Sequence, residues 1–215
     1  TRTDAALQSL RANRIGPRMR GPITKWGRKI FKVLVLPALD ALAGPAVEAI
    51  VGAIERKHRQ ELIRGLTPEN YRMKVGTPFV DWRALDGQRS LLVVHGIFST
   101  TEGVLSQLPE PAMRELAAHY GGRMIAFDQQ TVSRSTEQNA RFFLETLQRE
   151  AAGRKFEFDI LCHSRGGIVA RTLAERGAAL VPGLKCDFRK VFFVAAPNNG
   201  SVLADPDHMV EMIDV

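Results

Sequence analysis

The sequence predicts an α/β protein: a mostly parallel sheet with helices on both faces, preceded by an N-terminal helical segment. Three observations carry this. Apolar runs of strand length recur at 90–94, 124–127, 156–161 and 191–194, as expected of strands covered on both sides. Between them, apolar residues fall at helical spacing in 109–120, after Ser135, and in 166–176. Regular alternation of the two implies parallel strands joined by right-handed crossovers.

The N-terminal part is different in kind. Across 215 residues the net charge is +7, which on its own suggests an acidic partner such as nucleic acid or an anionic membrane. The charge is not spread evenly. Arg2, Arg11, Arg14, Arg18, Arg20, Lys25, Arg28, Lys29 and Lys32 face only Asp4 in the first 32 residues, and the rest is close to neutral. A basic arm over 1–29, broken by Gly16-Pro17 and Gly21-Pro22, therefore carries the basicity, and nucleic acid is not the expected partner. Residues 30–64 read as an apolar helical segment. Lys32, Asp40 and Glu48 interrupt it, and Pro37 and Pro45 break its helical register, which excludes a simple membrane crossing. Packing on a protein partner or lying on a membrane surface remain open for residues 1–64.

The α/β body is expected over 65–215. Its first part, 65–89, is rich in turns, with Val75, Phe79, Val80 and Trp82 between Gly and Pro, and predicts one or two short strands or an edge hairpin. Ser90–Val94 is the first buried strand, and Met113, Leu116, Ala117 and Tyr120 share a helical face ended by Gly121-Gly122. Met124–Phe127 is the next strand. Ser135-Thr136-Glu137-Gln138 has the form of a capping box ahead of the stripe Ala140, Phe143, Leu144, Leu147, Ala151. Phe156–Leu161, Gly166–Arg176 and Val191–Val194 continue the alternation.

The chemistry gathers at the strand ends. Cys162-His163-Ser164-Arg165-Gly166-Gly167 leads from a strand into a helix. A serine there, with glycine two residues on, is the arrangement that holds a hydroxyl above a sheet edge on a strained turn. The position two before the serine, commonly glycine, is Cys162. His95-Gly96-Ile97-Phe98 leaves the first buried strand, and Ala195-Ala196-Pro197-Asn198 leaves the last one. Cys162 and Cys186 cannot build a disulfide framework, no His/Cys set has metal-ligand spacing, and phosphate-binding glycine motifs are missing. No cofactor or metal is expected, and a reducing, cytoplasmic setting is favoured.

These three segments, in this order, resemble the α/β-hydrolase superfamily, particularly its lipase/esterase-like branch, over about residues 88–205. The similarity extends to hydrolase-like domains embedded in larger bacterial proteins. The resemblance implies a serine hydrolase acting on an ester or lipid, with Ser164 as nucleophile and the N–H groups of Ile97 and Arg165 as the oxyanion hole. It implies a loop-shaping role for His95, Gly96 and Gly166. In that family an acid and then a histidine follow on later loops. After Ser164 the chain offers one clear further strand and a single histidine, His208, with Asp205 nearby. Either these two serve as base and acid, or both partners lie beyond this chain, the hydrolase-like body ending short of the expected late strands. A non-catalytic module acting through residues 1–64 is the alternative.

Overall fold

The computed structural model describes Glu55, residues 61–73, 79–97 and 99–200. By its contacts the chain divides into two units, Thr1–Leu42 with Gly200–Val215, and Ala43–Asn199. The sheet and its helices belong to the second unit. The basic arm, nearly all of the 30–64 segment, Asp205 and His208 lie outside the described residues.

Among the described residues five strands, β1 (Leu62–Gly65), β2 (Arg89–Val94), β3 (Met124–Asp128), β4 (Phe156–His163) and β5 (Cys186–Val194), form one sheet in the order β1-β3-β2-β4-β5. Strands β2 to β5 pair in parallel, and β1 runs antiparallel along β3. Helices α1 (Thr101–Leu105), α2 (Glu110–His119), α3 (Thr136–Glu150) and α4 (Gly166–Leu180) accompany them.

The two-residue period of a strand sorts the sheet into two faces. Leu92, Val94, Ile125, Phe127, Phe158 and Ile160 pack with Phe143 and Leu144 of α3 and Val169 and Leu173 of α4. Their neighbours Leu91, Val93, Met124 and Ala126 pack on the other side with Leu105 of α1 and Met113 and Ala117 of α2. Both faces of β2, β3 and β4 are thus covered. Burying each of these large side chains contributes about 1.5–3 kcal/mol. Phe143 sits edge-on to Phe158 with centroids 5.9 Å apart, and Phe156 stacks on Phe158 at 5.8 Å. α3 begins as its sequence requires: the Ser135 hydroxyl accepts from the Gln138 N–H, and the Gln138 side chain accepts from the Ser135 N–H.

A charged side chain is also buried inside this interior. Asp159 of β4 is fully enclosed and accepts hydrogen bonds from Arg89 Nε at 2.9 Å and Tyr120 Oη at 2.8 Å. Burial, and the hydrogen bond to Asp159, push the Tyr120 phenol up to about 12.

Two expectations are corrected. Leu62–Arg64, read as the end of the helical segment, belong to strand β1, because Ile63 packs into the core and the backbone pairs with β3. The edge strand therefore comes before the turn-rich stretch. In that stretch the described residues form turns and no hairpin: Ala84 N–H donates to Asp81 O and Gln88 N–H to Leu85 O. No helix among the described residues is long and apolar enough to cross a membrane.

Candidate active site

The exits of β2, β4 and β5 meet at one edge of the sheet, and the backbone is unusual there. Ser164, between β4 and α4, has φ +52°, and Ala195, just after β5, has φ +50°. Both lie in the left-handed region that side chains avoid, at a cost of order 1–3 kcal/mol each. The Ser164 turn is anchored on both sides: its N–H donates to Val194 O at 2.9 Å, and its carbonyl accepts from the Gly167 N–H at 2.9 Å.

Glycines let the three exits touch. A Cβ on Gly166 would lie 2.5 Å from the carbonyl oxygens of both His95 and Val94. One on Gly96 would lie 2.7 Å from the Ser164 Cβ, and one on Gly167 would lie 2.4 Å from the Ala196 Cβ. Gly96 and Gly166 therefore lock the β2 exit against the serine turn, and Gly167 seats the β5 exit on α4. Cys162 tolerates its position because its thiol is buried and donates to Phe192 O at 3.3 Å. Burial pushes that thiol up to about 12, so it stays protonated.

His95 is fixed at both ring nitrogens. The Gln129 N–H donates to Nε2 at 3.0 Å, which places the proton on Nδ1, and Nδ1 is 2.9 Å from Gly96 O. The Gln129 side chain returns a hydrogen bond to His95 O at 2.9 Å. This histidine joins the β2 exit to the β3 exit and has no nitrogen left for proton transfer. His163 is only partly buried, its Nδ1 has no partner among the described residues, and burial holds its pKa below the ordinary imidazole value. Among the described residues, neither the Ile97 nor the Arg165 N–H donates to a backbone carbonyl. Ile97 is exposed.

Residues 58–215 match the model of a family described as a domain of unknown function, DUF7379. The chain belongs to this family. The matched residues take in the whole sheet, from β1 through β5. No curated protein matches the chain in sequence. Among solved structures, the mature form of a Bacillus licheniformis lipase is similar at 22% identity, with a TM-score of 0.40, over 63% of this chain and 49% of that one. The chain spans about half the length of that lipase.

Sequence reasoning missed the polar cluster beside the serine turn. Among the described residues Arg165 pairs with no carboxylate: its Nη2 donates to the carbonyl of Arg134, in the loop after β3. The preceding residues of that loop hold the carboxylate of Glu55, which is 3% exposed. Glu55 accepts from the N–H groups of Thr131 at 2.5 Å, Val132 at 3.2 Å and Ser133 at 2.8 Å, and from the Ser133 hydroxyl at 2.6 Å. Glu61 lies close by, 3.0 Å from Arg134 Nε, with no hydrogen-bond donor on either oxygen among the described residues. Burial raises its carboxyl to about 7, with the Arg134 charge working against the shift and the Glu55 charge adding to it. The signal for Glu55 is faint, one acid in an apolar stretch whose partners lie more than seventy positions away.

Proposed function

We propose that the domain is a serine hydrolase of the lipase/esterase type, cleaving a carboxylic ester or lipid through an acyl-enzyme at Ser164. The observation that carries this reading is the left-handed φ of Ser164 at a strand-to-helix turn, interlocked with the Gly96 loop. A serine is held there where glycine would be free of strain, and a strained strand-to-helix turn is what a hydroxyl raised above the sheet edge requires.

In this reading the Ser164 hydroxyl attacks the ester carbonyl carbon as a base removes its proton. The carbonyl oxygen gathers negative charge and is met by the N–H groups of Ile97 and Arg165. Collapse expels the alcohol, which takes the proton from the base, and water then releases the acid by the reverse sequence. His95, with both nitrogens committed, is not the base. Asp205 and His208 are the candidates within this chain.

A fluorophosphonate probe tests the proposal. It is expected to label the wild-type chain at Ser164 and to leave Ser164→Ala unlabelled at an unchanged melting temperature. Ester turnover should fall by about 10⁴-fold or more in the same variant. Labelling that survives in Ser164→Ala would overturn the assignment.

A further inference from the structure

The Glu55 carboxylate has a place in the site that goes beyond holding a loop. It occupies a concave run of three consecutive backbone N–H groups, Thr131, Val132 and Ser133, the geometry that binds anions in a nest. The next residue in that run, Arg134, offers its carbonyl to Arg165 Nη2. Arg165 directly follows Ser164. So a single carboxylate orders the loop whose following carbonyl receives the side chain next to the nucleophile.

Electrostatics strengthens the coupling. The Arg165 guanidinium is largely buried, its Nη1 has no partner, and no carboxylate forms an ion pair with it among the described residues. A buried cation without compensation is costly. Burial lowers the Arg165 pKa, and the Glu55 charge opposes that shift. Glu55 thus acts on Arg165 twice, through the Arg134 carbonyl and through its field.

We infer that Glu55 is a positioning residue for the nucleophile turn: by ordering residues 131–134 it fixes the Arg165 side chain, and with it the direction of the Arg165 N–H beside Ser164. The inference rests on the hydrolase reading above. A displacement of the order of 1 Å at a reacting centre can cost about 10²-fold in rate, so a residue that touches no substrate can still govern turnover.

A double-mutant cycle on the full chain tests it, with Glu55→Gln, Arg165→Met and their combination. The readouts are the rate of fluorophosphonate labelling at Ser164 and hydrogen exchange at the Ser164 and Gly167 amides, both hydrogen-bonded in the turn. Glu55→Gln is expected to slow labelling at least tenfold, and less than twofold when Arg165 is already methionine. Exchange at the two amides should quicken in the first background and not in the second. Equal slowing in both backgrounds, or none in either, would overturn the inference. If Glu55→Gln does not fold, Arg165→Met alone must slow labelling and quicken exchange; unchanged values in it overturn the inference as well. If the wild type itself takes no probe, the hydrolase reading fails and the exchange cycle alone decides the positioning role.

Discussion

Between sheet and helices, side chains fill the space: Phe143 lies on Phe158 and Phe127, and Ile125 and Leu144 close the gaps around them. At the exits of β2, β4 and β5 the backbones themselves touch, and Gly96, Gly166 and Gly167 are present because a single added carbon has nowhere to go. The difference teaches where each region is sensitive. Interior packing can shift by rotamer changes to absorb a small loss of volume. A carbonyl oxygen in the sheet ladder cannot shift without breaking its own hydrogen bonds.

The comparison is sharpest at Gly166. Gly166→Ala adds one carbon against two backbone oxygens at 2.5 Å, and is expected to cost about 3 kcal/mol or more in urea unfolding. A cost below about 1 kcal/mol would break the distinction between the two regions. Next comes Glu61, on the exit side. Its carboxyl is raised from 4.5 to about 7 in the folded protein, so the folded state keeps the proton longer than the unfolded chain does. The stability this gives is complete below about pH 4.5 and is lost as pH rises through 7. Glu61→Gln should flatten that decline and exceed wild type by about 2–3 kcal/mol at pH 8; parallel pH–stability curves would contradict the buried, donor-poor setting.

The interior effects are smaller. Asp159→Asn is expected to cost about 2 kcal/mol, since Tyr120 and Arg89 lose a charged acceptor. A neutral result would mean the charge adds nothing over its shape. Ile125→Val should cost about 1 kcal/mol. If it matched Gly166→Ala, the interior would be as unforgiving as the exits.

What the sequence makes legible divides along the same line. Strands β2, β3 and β4 are covered on both faces, so their apolar runs stand out, and α3 carries its start signal in Ser135 and Gln138. β1 escapes a sequence reading because Leu62-Ile63-Arg64-Gly65 is only four residues long and follows a helical pattern. Arg64 adds to the disguise: buried beside Asp128 at 2.7 Å, it looks like a surface residue. Of β5 the apolar pattern shows only 191–194, whereas the strand begins at Cys186; it lies at the edge of the described sheet, and Asp187, Arg189 and Lys190 hide its first half. Of the candidate site, the serine turn and the two loops beside it are visible as local motifs. The grip of residues 131–133 on Glu55 is not, because backbone N–H groups have no letter in a sequence.

The antiparallel placement of β1 also bears on how the chain is made. Its register joins Leu62 to Asp128 and Gly65 to Ile125, so the first of the described strands to leave the ribosome pairs, among them, only with one that comes about sixty residues later. At about 5–20 residues per second, that is a delay of roughly 3–12 s. Throughout it, β1 has a charged arginine to keep it hydrated and no edge to join. β2, by contrast, finds β3 soon after both have emerged. Birth order and assembly order therefore part company at the first strand: β1 is made first, waits for β3, and can close on it while β4 and β5 are still to come.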